Sequence, residues 1–339
     1  MEMMFNHKEI EKKNIMILQV LNQAQKPVGA RLIARHMEDC GVAMSERAVR
    51  YHLQFMDERG LTKLVGRRDG RIITKLGVEE LQNARVHDKV GFAISRIETL
   101  AYKTTFDPKQ GQGLVPVNIS FFPKKRLKDA LTAMKPAFKA GITVSELVAV
   151  AKEGEWLGEV IVPKGQVGIA TVCSIVANGV FLKNGIPVDS RFGGILQMKE
   201  GKPLRFVELI HYSGSSLDPS EAFIRAKMTT VREVAKKGEG KILANFRELP
   251  GICRGLAEEI IANLDKVGIK GVLSIGEKSE PICGAPVDVN KIGVVLIGGL
   301  NPVACAQEAG IEAENLAMAT VMNYQDLEKF TKVYNKFRT

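Results

Sequence analysis

Five cysteines lie scattered through 339 residues, at Cys40, Cys173, Cys253, Cys283 and Cys305, and no two form a Cys-x-x-Cys pair. That spacing excludes a disulfide framework and a structural zinc site. The five histidines are as widely dispersed, so no bound metal is expected. No apolar run reaches the ~18 residues needed to span a bilayer. The opening stretch, Met1 to Lys13, is polar and lacks the apolar core of a secretory signal. The chain therefore reads as cytoplasmic, in a reducing compartment. Catalytic signatures are missing too: no Gly-x-Gly-x-x-Gly after a strand, no Walker loop, no Gly-x-Ser-x-Gly elbow and no His-Glu-x-x-His. Cys173 and Cys253 have no identifiable base beside them, which makes buried structural thiols the plainer reading. No catalytic residue and no cofactor is expected.

What remains is the composition of a folded protein, 45% hydrophobic and 25% charged, with a net charge of +10. Such a length calls for two or three domains. Excess positive charge favours a polyanionic partner, because phosphate contacts release condensed counterions. The chain divides into four zones. Residues 1–86 alternate short helical patterns with a basic hairpin. Residues 87–113 look like a linker, a short amphipathic stretch and then turn formers from Thr104 to Gly113. From residue 114 to 323, β-rich apolar runs alternate with helical segments, which predicts an α/β or α+β domain. Residues 324–339 form a polar, basic tail with room for a terminal helix.

The first zone carries the sharpest local signal. A helix fits Lys8 to Gln23, with Ile10, Ile15, Ile17, Leu18 and Leu21 as its apolar stripe. A second fits Ala30 to Met37, with Leu32, Ile33 and Met37 inward. Ser45 is a good N-cap for a third, Glu46 to Glu58. There Val49, Leu53 and Met56 face the core, while Arg47, Arg50, Tyr51 and Gln54 fall on the other side. Two β-like runs flank Asp69-Gly70, a strong hairpin signal. Three helices and a basic hairpin, in that order, predict a winged helix-turn-helix. Its third helix is expected in the major groove and its flanks on phosphates. Ser45, Arg47, Arg50, Tyr51 and Gln54 are the expected residues of the recognition helix. Lys63, Arg67, Arg68 and Arg71 are those of the hairpin. A basic hairpin alone is often only a solvated turn, and three helices alone can serve protein contacts.

The third zone repeats itself. Gly168-Ile169 and Ser174-Ile175 reappear 100 residues on as Gly268-Ile269 and Ser274-Ile275. Gly185-Ile-Pro-Val-Asp189 reappears as Gly284-Ala-Pro-Val-Asp288. Two related halves, about 115–215 and 216–323, are expected around a pseudo-two-fold axis, with a ligand site plausible where they meet. Several loops there suit an anion. Gly298-Gly299-Leu300-Asn301-Pro302 leads from a strand to a residue favoured at helix starts, where backbone N–H groups bind carboxylate or phosphate. The other loops hold Ser190, Arg191, Gly193 and Gly194, and His211 and Ser213. A third group is Asn245, Arg247, Cys253 and Arg254.

Taken with the winged helix, the segment Val176-Ala-Asn-Gly-Val-Phe-Leu-Lys-Asn-Gly-Ile-Pro-Val-Asp-Ser-Arg-Phe-Gly-Gly194 resembles the NrpR family. These are archaeal repressors of nitrogen-assimilation genes. The resemblance covers nearly the whole chain and implies homodimers on a palindromic operator, with 2-oxoglutarate as inducer. It also implies that a second protein carrying regulatory domains of the same family can act as partner. Two rivals stand beside it: an enzyme that consumes its ligand, with an attached winged helix, and a protein-interaction scaffold.

Overall fold

The computed structural model describes residues 2–24, 26–39, 42–66, 70–84 and 91–338. They form two compact units, residues 1–90 with 159–161, and residues 91–158 with 162–339.

The first unit runs α1 (Glu2–Ala24), α2 (Ala30–Asp39), α3 (Glu46–Glu58), β1 (Thr62–Gly66), β2 (Gly70–Ile73) and α4 (Lys75–Asn83). Its core gathers Ile15, Ile17, Leu18 and Leu21 of α1, Ile33 and Met37 of α2, and Val49, Leu53 and Met56 of α3. Leu32, expected inward, is 40% exposed. It sits one position outside the arc defined by Ile33 and Met37, four residues apart and one above the other on the helix. β1 and β2 pair antiparallel, Leu64 opposite Arg71. Val28 adds a third rung through two backbone bonds with Arg71, of 2.8 and 3.0 Å. Gly70 is required where the hairpin meets that rung: its φ is +97°, and a Cβ would lie 2.3 Å from the carbonyl carbon of Val28. Three helices closed by a small antiparallel sheet make a winged helix.

The second unit opens inside the stretch expected to be a linker. Residues 92–103 form α5 (Phe92–Lys103), whose face of Ala93, Ile97, Leu100 and Ala101 is buried. The amphipathic stripe seen in the sequence is thus a core-facing helix, and the turn formers are confined to residues 104–113. Then come β3 (Leu114–Pro123), α6 (Leu127–Lys139), β4 (Leu147–Lys152), the short β5 (Trp156–Leu157) and, after β6 (Val160–Ile161) of the first unit, β7 (Gln166–Val172), α7 (Ile175–Lys183), β8 (Asp189–Lys199) and β9 (Lys202–His211). The chain continues through α8 (Pro219–Arg225), α9 (Val231–Lys237), β10 (Gly240–Pro250), α10 (Arg254–Lys266), β11 (Val272–Ile275), β12 (Lys291–Ile297), α11 (Asn301–Glu308), β13 (Glu314–Asn323), β14 (Glu328–Lys329) and α12 (Phe330–Arg338).

A repeat is present, in a register different from the one read in the sequence. The series β3-α6-β4-β7-α7-β8 recurs as β10-α10-β11-β12-α11-β13. Pro123 and Pro250 each precede a short 3-10 turn and a helix of 13 residues. Gly141-Ile142 matches Gly268-Ile269, and Gly185-Ile186 matches Gly310-Ile311. All four glycines end a helix at φ between 70 and 79°, and each following Ile N–H bonds back to a carbonyl of the last turn. By contrast Gly168-Ile169 lies within β7, whereas Gly268-Ile269 closes α10. Gly284 to Asp288 joins β11 to β12, whereas Gly185 to Asp189 leads from α7 into β8.

The two sheets are antiparallel throughout, ordered β13-β3-β7-β4-β14 and β11-β12-β10-β8-β9. The last strand of each half crosses over: β8 pairs with β10 of the second half, and β13 with β3 of the first. Each crossing strand is interrupted by a bulge, at Arg191 against Phe246-Arg247 and at residues 317–319 against β3. The expected tail is structural. β14 extends the first sheet, and Phe330 of α12 stacks on Phe138 at 3.9 Å in the main core.

Candidate operator-reading face and ligand cavity

α3 starts where Ser45 accepts a hydrogen bond from the Ala48 N–H at 3.2 Å. That cap leaves the helix with one side in the core and Arg47, Arg50, Tyr51 and Gln54 in solvent, Tyr51 at 73% exposure. The inner side includes His52, whose Nδ1 donates to Asn14 Oδ1 at 2.7 Å. Burial, helped by nearby Lys13, lowers its pKa, which favours the neutral ring. Arg50 makes a surface ion pair with Glu46 at 2.5 Å. Lys63 is exposed on β1. Arg67 and Arg68 lie outside the described residues.

Arg71 has a different setting from the one expected of a phosphate contact. Its Nε donates to Asp57 Oδ2 at 2.6 Å, and the pair is mostly buried. Asp57 Oδ1 also accepts from Thr62 Oγ1 at 2.6 Å. One carboxylate at the end of α3 therefore holds both strands of the wing, which fixes the wing against the recognition helix. Sequence reading missed Asp57 because the adjacent Glu58 carries the same chemistry and nothing in the spacing tells them apart.

In the second unit a cavity of about 440 Å³ lies between α5, α7, the start of β8 and the end of β9. Its lining includes Asn178, Asp189, Ser190, Arg191, His211 and Ser213, with Ile94, Ile97 and Leu182 on the apolar side. Ser190, Arg191, His211 and Ser213, named separately from sequence, are thus brought together. Gly193, Gly194, Gly298 and Asn301 are not part of that lining. A Cβ at Gly193 would strike Pro219, and one at Gly194 the carbonyl oxygen of Glu208 at 2.6 Å. Gly298 packs against Leu243 in the same way. Asn301 is fully buried and clamps the backbone of Leu243, accepting from its N–H at 2.9 Å and donating to its carbonyl at 3.0 Å. Gly299 borders a second, much smaller cavity.

Arg191 belongs to an ion cluster. It lies 3.3 to 3.5 Å from Asp189, Glu248 and Asp288, and Lys291 Nζ lies 2.8 to 3.3 Å from the same three carboxylates. The three carboxylates are close enough together to hold a metal, but the Lys291 ammonium already occupies that role. Burial alone would raise the Asp189 carboxyl, yet the Lys291 bond and charge, with Arg191, hold it below its ordinary value. Asp189 and Asp288 are the ends of the two Gly-x-Pro-Val-Asp segments. The two strings differ in fold position but converge on one lysine.

A buried polar network lies behind the cavity. Tyr212 donates to Asn245 Oδ1 at 2.5 Å, and Asn245 Nδ2 to Ser174 Oγ at 3.1 Å. Asn178 Nδ2 donates to Ser190 Oγ at 2.9 Å, and Arg247 Nε to Asn178 Oδ1 at 3.3 Å. Burial pushes the Cys173 thiol beside them up to about 11, so it stays protonated. Nearby, Glu221 Oε1 accepts from the Ala317 N–H at 2.7 Å. Its burial, with Asp218 alongside, pushes the carboxyl up to about 7.

A winged helix with an open polar recognition face, on the same chain as a duplicated α+β domain with a cavity of mixed polarity, is the build of a transcription regulator. Residues 90–329 match the family described as NrpR regulatory domains NRD1 and 2, and residues 15–81 match the ribonuclease R winged-helix domain. The global nitrogen regulator NrpRI of Methanosarcina mazei is 42% identical over 95% of this chain and 98% of its own. The global nitrogen regulator NrpR of Methanococcus maripaludis is 35% identical over 94% of this chain, which spans 55% of that protein. A crystal structure of a nitrogen repressor-like protein from Methanococcus jannaschii is 33% identical, with a TM-score of 0.60 over 70% of this chain and 98% of that one. The chain belongs to the NrpR family. It is a nitrogen regulator rather than an enzyme, and that removes the first rival reading. Among the described residues no helix is long and apolar enough to cross a membrane.

Proposed function

We propose that this protein is a cytoplasmic repressor that binds a palindromic operator of nitrogen-assimilation genes as a homodimer and is relieved by 2-oxoglutarate. The observation that carries the DNA half is the outward face of α3, where Arg47, Arg50, Tyr51 and Gln54 stand exposed beside a wing fixed by Asp57. A dimer presents two such helices to successive major grooves about 34–36 Å apart. The cavity in the second unit supports the effector half. It is large enough for a small dicarboxylate and offers it the Ser190 and Ser213 hydroxyls and the His211 ring. A second regulatory-domain protein of the same family is the expected partner if sensing is shared.

The test is a DNA-binding titration of the full chain at fixed salt on a palindromic promoter fragment, with and without millimolar 2-oxoglutarate. A coupling of about 1–3 kcal/mol predicts that the effector weakens operator binding roughly 5–150-fold. Tight specific binding that ignores the effector moves sensing to the partner chain. Salt-insensitive or absent DNA binding returns the winged helix to the scaffold reading.

Two substitutions separate base reading from phosphate contact. Arg50→Ala should reduce discrimination between operator and random DNA by about 1–3 kcal/mol. Lys63→Ala should weaken both equally and lower the salt slope by about one. Equal losses on both DNAs for Arg50→Ala would remove that residue from the reading face.

A further inference from the structure

The Arg247 guanidinium is a buried cation, and among the described residues no carboxylate lies within ion-pair distance of it. The residue is 2% exposed, and its bonds go to neutral acceptors, Asn178 Oδ1 at 3.3 Å and its neighbour's carbonyl, that of Phe246, at 3.0 Å. The Tyr212 ring lies 4.9 Å from it. Asp218 lines the same small cavity but stands beyond ion-pair distance, and its Oδ1 is held by the Ser220 and Glu221 N–H groups at 2.8 and 3.2 Å. Burying a cation without a paired anion costs several kcal/mol. Arg191 and Lys291, by contrast, each meet three carboxylates.

Side chains able to donate hydrogen bonds also border the adjoining small cavity. Its lining includes Asn118, Ser174, Asn245 and the first residue of the nine-residue helix α7, whose N-terminus favours negative charge. At about 20 Å³ this cavity holds no more than a water. Arg247 does not line the larger cavity, but Asn178 does, and Asn178 is bonded to Arg247. Asn178 Nδ2 bonds Ser190 on the cavity wall, and its Oδ1 occupies the place of an acceptor on Arg247 Nε.

We infer that Arg247 is the cation that receives a carboxylate of the small organic acid sensed by this domain, with that carboxylate displacing Asn178 Oδ1. The inference rests on the reading of the second unit as an effector sensor. The exchange replaces a neutral acceptor by a charged one, and charge-assisted bonds are roughly twice as strong. It also couples both halves of the repeat: Arg247 and Asn245 come from the second half, and Asn178, Ser190 and Ser174 from the first. Occupancy is thereby felt on both sides of their junction.

The experiment is calorimetric titration of the full chain at constant ionic strength, for wild type, Arg247→Gln and Arg247→Lys. The probes are 2-oxoglutarate, 2-oxobutyrate, glutamate, citrate and acetate, and effector-free DNA affinity serves as the check on folding. Wild type is expected to bind at least one of these carboxylates. Arg247→Gln should weaken that binding at least about 30-fold. Arg247→Lys keeps the buried charge, and with it the fold, but loses the two-point grip and should weaken binding about tenfold. Both variants should keep effector-free DNA affinity. If 2-oxoglutarate binds and neither variant changes its affinity, the inference is overturned while the sensor reading stands. If 2-oxoglutarate does not bind but another carboxylate does, in an Arg247-dependent way, the site stands and the identity of the effector falls. Failure of every probe to bind wild type overturns both.

Discussion

Replacing Gly77 with alanine is expected to unfold the winged helix and abolish DNA binding, although alanine is ordinarily the better helix residue by about 1 kcal/mol. Gly77 is the third residue of α4, and its N–H is capped by Thr74 Oγ1 at 3.1 Å. A Cβ there would sit 2.1 Å from the carbonyl oxygen of Leu61 and 2.8 Å from Ile73 Cγ1. That carbonyl cannot turn aside: it accepts from the Thr74 N–H at 3.0 Å and from the Thr74 hydroxyl at 3.1 Å. Room for a methyl group can come only from lifting α4 off the turn between α3 and β1. Overpacking that moves backbone typically costs about 1–3 kcal/mol, and a clash this close with a fixed carbonyl belongs at the top of that range or above it. Gly255, near the start of α10, is the control, since nothing lies within 4 Å of its Cβ position. Gly255→Ala should be neutral or stabilising by up to about 1 kcal/mol. Denaturant unfolding of the full chain, followed by circular dichroism and DNA binding, reads both. A stable Gly77→Ala protein would show that α4 does not rest on Leu61.

The second large effect is a gain. Glu221→Gln should stabilise the second unit at pH 8 by about 3 kcal/mol, the free energy that corresponds to a carboxyl rising from its ordinary 4.5 to about 7. The folded protein prefers the neutral acid. The carboxyl's contribution to stability is therefore complete below pH 4.5 and is lost as pH rises from there through about 7. Glutamine is neutral at every pH and keeps the oxygen that accepts from the Ala317 N–H. The variant should lead wild type by the full margin at pH 8, by less near pH 6, and not at all below about pH 4.5. Urea midpoints across that range are the measurement. A margin that does not change with pH would mean that Glu221 is not held neutral by the fold.

The winged helix was legible because its signals are local. Ser45 caps, Val49, Leu53 and Met56 recur at helical spacing, and Asp69-Gly70 marks the hairpin. Each is decided by residues within a turn or two. The repeat was legible as a repetition but not in register. Glycine followed by isoleucine closes four helices but also lies inside β7, and Gly-x-Pro-Val-Asp occurs in two different connections. Such strings match by chemistry at positions the fold does not equate. The true correspondence rests on Pro123 with Pro250 and Gly141 with Gly268, which are single residues with nothing in the flanking sequence to single them out. For the cavity, polar residues near strand ends, such as Ser190, His211 and Ser213, were found by type. The glycines and Asn301 have the same chemistry, but their donors and open faces are taken up by Leu243, Glu208 and Pro219. Burial separates Arg191 from Arg247, and no spacing in the sequence shows which guanidinium has carboxylates around it.

The crossing of β8 and β13 means that neither half closes its own sheet. Cut between residues 199 and 240, each fragment keeps a strand made for the other and leaves β3 or β10 with a bare edge of unpaired N–H and C=O groups. Such a fragment can be completed only by trading strands with a second molecule. A single half would therefore be an obligate swapped pair with two equal sites related by its symmetry axis. Joining both copies in one polypeptide fixes the trade within the chain and lets the two sites diverge. Ser120 stands where the other half has Arg247, each three residues before the proline that ends its strand. The symmetry of the repeat is broken at that position, and the expected stoichiometry is one ligand per chain instead of two.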